Sequence, residues 1–187
     1  MRRVFGLLVG LALVSALSGC SSGGAGGPTP SGTPSPAVSV SPSPSPTPDM
    51  DALYAEAERV VRRATQLEEE AIQQGPGNYP AELETLLADP YLTWSRVGVQ
   101  QYWELGWKGV EGESAGLVLR PQPGVSQDGS EVALEGCLQA TSTVDASGAL
   151  VGPSSLFYKT YFFRHVDADL RLFTSTMGVE VEQCPFA

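Results

Sequence analysis

The sequence has a single histidine, His165, and this scarcity excludes several kinds of site. A metal cage with several histidine ligands cannot be built, and a Ser-His-Asp arrangement would have only one base available. The chain also lacks the Gly-x-Ser-x-Gly of serine hydrolases, a phosphate-binding loop and a dinucleotide fingerprint. The sequence therefore predicts no catalytic residue, no metal and no cofactor. We expect His165, beside Arg164 and Asp167, to be a surface ion-pair neighbour and not a general base.

Basic residues are also few, since 11 Lys and Arg stand against 21 Asp and Glu for a net charge of −10. Nucleic acids and anionic lipid head groups bind to basic faces, so neither is an expected partner. The acidic residues are dispersed along the chain, which is typical of a solvated surface. Proline is concentrated in the first third, which leaves residues 49–187 for one globular domain.

The first twenty residues have the three-part pattern of an export signal. Arg2 and Arg3 precede an apolar run over 4–17, and small residues follow. The run is shorter than the roughly 20 apolar residues that a membrane-spanning helix needs. We therefore expect a signal peptide and not a permanent membrane span.

The signal ends in Leu17-Ser18-Gly19-Cys20, which resembles the lipobox of bacterial lipoproteins. The resemblance implies that residues 1–19 are removed and that a lipid is joined to the thiol of Cys20. Acyl chains on Cys20 would then anchor the mature chain to the extracytoplasmic side of the cell membrane. The alternative is an ordinary secretory signal followed by an incidental cysteine.

Residues 20–48 consist almost entirely of Ser, Gly, Pro, Thr and Ala, with Ser-Pro alternation over 39–48. Such a segment cannot offset its ordering entropy by burying apolar surface, so we expect a disordered tether. Its proline-rich part favours extended polyproline II. The tether is either a spacer between the membrane and the domain or flexible filler.

The remaining chain begins with residues typical of helices. Asp49 can cap a helix that ends at Gly75-Pro76. Apolar residues recur through it at the three-four spacing of a one-sided helix: Met50, Leu53, Tyr54, Ala57, Val60, Val61, Ala64, Leu67 and Ala71. A short helix is predicted over 81–88 with Leu83, Leu86 and Leu87 inward, and a third over 95–105.

After Gly112 the pattern changes to strands. Four segments rich in β-branched and aromatic residues are separated by turn residues: 115–120, 131–142, 156–166 and 170–182. They predict a four-stranded antiparallel sheet. Polar and apolar residues alternate in the second segment, so one face should pack on the core and the other should mostly face water. Helices followed by strands predict an α+β domain whose helices cover one side of a curved sheet.

This order of elements, together with Cys137-Leu138-Gln139-Ala140-Thr141-Ser142 and Cys184, resembles the NTF2-like superfamily. More narrowly, it resembles actinobacterial lipoproteins that join a lipobox, a tether and such a domain. The resemblance implies a cone-shaped (cystatin-like) α+β fold over 49–187. Some NTF2-like proteins are enzymes, among them ketosteroid isomerase, but none of their catalytic motifs can be matched residue by residue onto this chain.

Two cysteines remain once Cys20 is assigned to lipid, and export would place them where disulfides persist. We predict a structural bridge between Cys137 and Cys184, with both thiols projecting from polar faces. Neither cysteine has a Cys-x-x-Cys partner or a nearby histidine, so redox catalysis and metal binding are not expected.

A ligand pocket is the remaining candidate site, and its predicted residues are aromatic: Trp94, Tyr102, Trp103, Trp107, Phe157, Tyr161 and Phe163. They would give a cleft apolar walls with a hydrogen-bonding rim, although the same residues would also fill an ordinary core.

Three hypotheses remain open. A domain that binds a small apolar ligand or an envelope protein predicts an open aromatic cleft or an exposed apolar patch, with no strongly perturbed carboxylate inside. An isomerase or hydrolase predicts a buried Asp, Glu or His inside the cone. A structural spacer predicts a solid core. The sequence predicts no oligomeric state.

Overall fold

The structure, a computed structural model, describes residues 49–187. The predicted signal peptide at 1–19, Cys20 and the tether through residue 48 lie outside the described residues. Within 49–187, no helix combines the length and the apolar character needed to cross a bilayer. The described segment is α+β, as predicted, with helices first and antiparallel sheets after them.

The first helix, α1, spans Met50–Gln74 and confirms the prediction from apolar spacing. The Asp49 carboxylate caps it by accepting hydrogen bonds from the N–H groups of Asp51 at 3.2 Å and Ala52 at 3.3 Å. The helix ends at Gly75, whose φ of 80° favours glycine. Its buried side consists of small and branched residues, namely Ala57, Val60, Val61, Ala64, Leu67 and Ala71.

The second helix, α2, spans Leu83–Leu86 and is shorter than the predicted 81–88. Leu83, Leu86 and Leu87 are buried, as predicted. Directly after the helix, Leu87 forms a parallel bridge with Leu172, and the N–H of Ala88 donates to the Leu172 carbonyl at 2.9 Å. The chain therefore runs along the edge of the sheet at this point, which ends the helix early.

The third helix, α3, spans Tyr91–Leu105, so it begins about one turn before the predicted residue 95. The carboxylate of Asp89 accepts hydrogen bonds from the N–H of Thr93 at 3.2 Å and from its hydroxyl at 2.7 Å. A first-turn N–H that lacks a partner within the helix is thereby satisfied, which explains the earlier start.

In chain order the strands are β1 (Lys108–Gly109), β2 (Gly116–Pro121), β3 (Val132–Gln139), β4 (Thr143–Val144), β5 (Leu150–Gly152), β6 (Leu156–Val166), β7 (Asp169–Ser175) and β8 (Val179–Glu180). The main sheet is antiparallel with order β2-β3-β6-β7, and β8 also pairs with β6. The longest ladder joins β3 to β6, from Val132 opposite Phe163 to Gln139 opposite Leu156. The four predicted strands thus form the predicted antiparallel sheet.

The prediction of one strand over 131–142 is wrong at its end. β3 stops at Gln139, and Thr143–Val144 form β4 of a separate small sheet with order β1-β4-β5. The Ala140 N–H still donates to the Ser155 carbonyl at 2.9 Å, but no strand continues beyond it in the main sheet. This short second sheet was not predicted, since its strands are two or three residues long.

The last predicted strand, 170–182, is interrupted between β7 and β8. Opposite the break, the Thr160 N–H donates to the Thr176 hydroxyl at 2.8 Å, while the Thr176 N–H donates to the Thr160 carbonyl at 2.9 Å. A side-chain oxygen thus takes the place of a backbone carbonyl, and the regular ladder ends there. Residues 176–178 leave the sheet as a result.

The core lies between α1, α2 and one face of the main sheet. Its buried members from the helical part are the apolar side of α1 with Leu83, Leu86 and Leu87. Its members from the sheet are Val132, Leu134, Tyr161, Phe163, Leu170 and Leu172. Leu117 and Leu119 of β2 pack against this cluster from the sheet edge. The helices therefore cover the face that strand alternation predicts as apolar.

The opposite face of the sheet is not mostly wet, which corrects the prediction. Cys137 is 1% exposed and Glu135 is 7% exposed, although alternation places both on the polar face. The predicted disulfide between Cys137 and Cys184 is confirmed, with Cα atoms 5.8 Å apart, and it ties the C-terminal segment to this face. Cys137 does share the polar face with Glu135, as predicted, but that face is covered at this point and does not meet water.

Phe186 lies on the same covered face as the disulfide. Its ring centroid is 4.7 Å from the Arg120 guanidinium carbon and 6.3 Å from the Tyr158 ring centroid. Beneath it, the buried Glu135 carboxylate accepts hydrogen bonds from Arg120 Nε at 2.7 Å and from the Tyr158 hydroxyl at 2.8 Å. The carboxylate can be buried because these two donors satisfy it.

Candidate functional site

A cavity of about 600 Å³ lies between α1, α3 and the chain leaving β7. Its volume falls within the range of roughly 300–1,000 Å³ that is usual for small-molecule sites. The lining residues are Glu68, Ile72, Tyr91, Trp94, Ser95, Gly98, Val99, Tyr102, Lys159, Ser175, Thr176, Met177 and Gly178. The interruption of the last strand contributes directly, because residues 176–178 form part of the wall.

The rim of the cavity is apolar and open to solvent. Trp94 is 52% exposed and Met177 is 91% exposed, and both line the cavity. The Trp94 ring is tilted against that of Tyr91, with 6.5 Å between centroids. Of the seven aromatic residues predicted for a pocket, Trp94 and Tyr102 line this cavity.

The other five predicted aromatic residues lie elsewhere. Tyr161 and Phe163 are buried in the core. Trp103 donates from Nε1 to the Ala71 carbonyl at 2.9 Å on α1. Trp107 packs edge-on against Tyr102, with 5.8 Å between centroids, and Phe157 pairs with Glu180 of β8. The seven predicted aromatic residues are thus divided between the cavity wall, the core and packing contacts outside the cavity. Strand alternation and helical spacing do not distinguish these three roles.

Glu68 on α1 is a half-buried carboxylate in the cavity wall. Burial raises its pKa above the ordinary value, and a hydrogen bond from Ser95 and the charge of Lys159 offset part of this effect. The Ser95 hydroxyl lies 2.7 Å from the Tyr79 hydroxyl. A hydroxyl has one proton, so when Ser95 donates to Glu68, the Tyr79 hydroxyl donates to Ser95.

Lys159 on β6 is the second charged group in the cavity wall. It is half-buried, and its Nζ lies 4.8 Å from the ring centroid of Tyr161. Burial lowers the pKa of its ammonium, and the charge of Glu68 opposes that change. Among residues 49–187, no salt bridge joins Glu68 to Lys159. The two charges therefore share a cavity without direct contact.

The charge of the Glu68 carboxylate acts on three tyrosines, namely Tyr79, Tyr91 and Tyr161. Tyr161 is 1% exposed, and its hydroxyl has no hydrogen-bond partner among the described residues. Burial, and to a lesser extent the negative charge of Glu68, raise the pKa of Tyr161 and of Tyr91. Both phenols are therefore neutral donors at physiological pH. The cavity lining thus combines one carboxylate, one ammonium and several hydroxyls with aromatic side chains.

The sequence contains a signal for both charged residues that the aromatic prediction overlooked. Glu68 follows Ala64 and precedes Ile72 by four residues each, so it lies on the apolar stripe of α1. Lys159 alternates with Phe157 and Tyr161, so it lies on the inward face of β6. A charge on an inward face of two separate elements indicates a polar site inside the domain.

A narrower cavity of about 140 Å³ adjoins the first and shares Glu68, Ile72 and Tyr102 with it. Its remaining walls come from α1, the β1 region and the ends of β2 and β3: Thr65, Glu69, Gln73, Gly109, Ala115, Leu138, Ala140, Thr141 and Thr143. Glu68 therefore stands where the wide and the narrow cavities meet.

His165 does not line either cavity. It is exposed, and its Nδ1 lies 2.8 Å from a carboxylate oxygen of Glu131, while its N–H donates to the other oxygen at 2.8 Å. His165 thus lies at the surface beside a charged residue, as predicted, although that residue is Glu131 and neither Arg164 nor Asp167. These contacts lower the pKa of Glu131, and the hydrogen bond from the His165 backbone N–H has the largest effect. In residues 49–187 no three His, Cys, Asp or Glu side chains cluster as a metal site would require.

Comparison with models of known protein families and with curated proteins finds no match. Among solved structures, the chain is similar to the crystal structure of the intermembrane space region of the chloroplast protein ARC6. The two share 18% sequence identity with a TM-score of 0.53, over 72% of this chain and 100% of that one. At this identity the similarity shows a common fold and nothing about ligands or partners.

Proposed function

We propose that the chain is a lipoprotein of the cell envelope, anchored by lipid on Cys20, whose NTF2-like domain binds a small, largely apolar ligand in the cavity between α1 and α3. The lipobox-like end of the signal supports the anchor, and the order of helices and strands supports the NTF2-like assignment. The cavity of about 600 Å³ with its aromatic walls carries the binding proposal.

The exposed rim is the main physical reason for a ligand. Trp94 and Met177 present apolar surface to water at the mouth of a concave site, where a bound apolar molecule would cover it. Burying apolar area contributes about 25 cal/mol per Å², so an aromatic ligand between these side chains gains affinity without further contacts. The structural-spacer hypothesis predicts a solid core. A cavity of this size argues against it.

Filling the cavity tests the binding proposal. Gly98 lies in the wall of the cavity, and a Cβ built there meets no atom within 4 Å, so Gly98→Phe should extend into free space. Val97, the preceding residue, is exposed and does not line the cavity, so Val97→Phe is the matched control.

The measurement is equilibrium dialysis of 2-isopropylnaphthalene against the full chain in lipid nanodiscs, with empty nanodiscs as the blank. We expect Gly98→Phe to abolish the binding that Val97→Phe retains. Equal binding by both variants would contradict a ligand site in this cavity. If the exposed rim docks an envelope protein instead, capture of that protein would survive Gly98→Phe.

The anchor is tested separately by mass spectrometry of the native protein. Expressed in a bacterium with the lipoprotein machinery, the chain should begin at Cys20 and carry acyl groups on it. A Cys20→Ser variant should be released from the membrane fraction. An unmodified Cys20 in the native protein would reject the lipoprotein proposal and leave the cavity proposal intact.

Catalysis is a second candidate, because a carboxyl group inside the domain is what the enzyme hypothesis predicts, and the cavity wall contains Glu68, whose pKa is raised by burial. A carboxylate in such a place is suited to general acid-base chemistry, which an isomerase or hydrolase requires. A base at Glu68 should exchange the α-hydrogens of a ketone such as 2-tetralone for deuterium in D₂O. Exchange that Glu68→Gln removes and Glu56→Gln retains would favour an enzyme, and exchange at the rate of buffer alone would exclude this chemistry.

A further inference from the structure

The cavity contains two opposite charges that do not neutralise each other by direct contact. Glu68 on α1 and Lys159 on β6 both line its wall, and no salt bridge joins them among residues 49–187. The structure also shows no hydrogen bond from Lys159 Nζ within that range, and its near neighbour is the face of the Tyr161 ring. Because both residues line the cavity, a ligand there lies beside one ammonium and one carboxylate.

We propose that the ligand has an apolar body and an uncharged polar end with both a donor and an acceptor, such as a primary carboxamide or a lactam. Its carbonyl oxygen would accept from Lys159 Nζ, and its N–H would donate to the Glu68 carboxylate. This inference rests on the proposed binding function and specifies the chemistry of the ligand at the same site.

The charge balance of the site favours an uncharged polar end. With one positive and one negative group, the wall has no net charge. A carboxylate ligand would be repelled by Glu68, and an ammonium ligand would be repelled by Lys159. Either would leave one charge in a half-buried site without compensation, which is unfavourable. The net charge of −10 for the whole chain adds to the repulsion of anions.

A hydrocarbon without a polar end should bind between the same walls, but more weakly. It would remove water from Glu68 and Lys159 without replacing the lost hydrogen bonds, which costs free energy for each group. The aromatic side chains Tyr91 and Trp94 can still hold its apolar body. A carboxamide satisfies both charged groups while its body occupies the same walls, so it should bind more tightly than its hydrocarbon isostere.

Three probes with the same ring system separate these cases: 2-naphthamide, 2-naphthoate and 2-isopropylnaphthalene. Dialysis against the full chain in lipid nanodiscs, corrected with empty nanodiscs, gives the dissociation constant of each. We expect 2-naphthamide to bind about tenfold more tightly than either of the others, the effect of one or two net hydrogen bonds. Tighter binding of 2-naphthoate, or equal binding of 2-isopropylnaphthalene, would overturn the inference and leave the binding function standing. Binding of none of the three would reject the binding function itself.

Two substitutions assign the effect to the two charges. Lys159→Met should abolish the advantage of the carboxamide over the hydrocarbon, and Glu68→Gln should shift preference toward 2-naphthoate because the repelling charge is gone. Lys108, the other lysine of the chain, lies outside both cavities that contain Glu68, so Lys108→Met is the matched control. Glu56 lies on the same helix as Glu68, is partly exposed beside Arg59 and lines neither cavity, so Glu56→Gln is the second control. Unchanged preferences in Lys159→Met and Glu68→Gln would place the polar end of the ligand elsewhere.

Discussion

Breaking the disulfide should destabilise the domain strongly, because the bond closes a long loop over an otherwise half-open face of the sheet. It joins Cys137 in the middle of β3 to Cys184 near the chain end, 47 residues apart. Cys184→Ser removes the crosslink and leaves the buried Cys137 thiol in place, so it creates no hole beneath the sheet. Chemical reduction of the unchanged chain gives the same crosslink-free state without a mutation.

The size of the effect follows from the loop length. In the chain-entropy model a loop of 47 residues is worth about 4 kcal/mol at 25 °C. This is a large share of the roughly 5–15 kcal/mol that stabilises a domain. With an unfolding entropy of about 2.1 cal/mol/K per residue over residues 49–187, the loss corresponds to a fall in Tm of about 10–15 °C.

Thermal unfolding followed by circular dichroism, with and without a thiol reductant, measures this difference. We expect the reduced native chain and Cys184→Ser to melt at the same lowered temperature, and the reductant to leave Cys184→Ser unchanged. A fall of less than about 3 °C on reduction would show that the C-terminal segment adds little, contrary to the loop-closure reasoning.

Further predictions concern the core, the covered face and the cavity. Gly136→Ala should cost about 1–3 kcal/mol in urea unfolding, because the added Cβ would lie 2.7 Å from the ring of the fully buried Tyr161; a loss below about 0.5 kcal/mol would mean that the ring can move. Tyr158→Phe should cost about 1 kcal/mol by the same assay, since it removes a donor to the buried Glu135, and an unchanged midpoint would deny that bond a role. The raised pKa of Glu68 means that the folded state holds this proton more tightly than the unfolded chain, so its contribution to stability falls as pH rises above the ordinary value of 4.5. Glu68→Gln should therefore gain Tm relative to the native chain more at about pH 8 than at about pH 4, and an equal difference at both would contradict the burial of this carboxylate.

The first helix could be predicted almost to the residue because its signals are local. The cap at Asp49, the apolar spacing through α1 and the stop at Gly75 all act within a few residues of one another. The early start of α3 depends on Asp89, a residue placed before the helix whose side chain reaches Thr93. The spacing of apolar residues does not reveal that contact, so the predicted start of α3 is about one turn too late.

The strand ends and the covered face depend on contacts that are distant in sequence. The last strand breaks where the Thr176 hydroxyl accepts from Thr160, a choice between side chain and backbone that composition does not reveal. Cys137 and Glu135 are buried because Cys184 and Phe186 return over them from the chain end. Alternation in β3 shows which residues share a face and not what lies on it.

The candidate site was predicted only in part for a related reason. Aromatic residues are common to cores and pockets, so Trp94 at the rim and Phe163 in the core look alike in the sequence. Charged residues on inward faces are rarer and more informative. Glu68 and Lys159 meet that criterion, and their position inside the domain is what distinguishes the cavity from a gap in packing.

The most direct test of the cavity as a ligand site uses the fact that the chain has two lysines, Lys108 and Lys159. Lysine labelled with ¹³C at the ε position gives one NMR signal for each in the full chain in lipid nanodiscs, and Lys108→Met assigns them. On saturation with 2-naphthamide, we expect the Lys159 signal to shift while the Lys108 signal stays in place. A Lys159 signal that does not move while the probe binds would contradict a ligand held against Glu68 and Lys159.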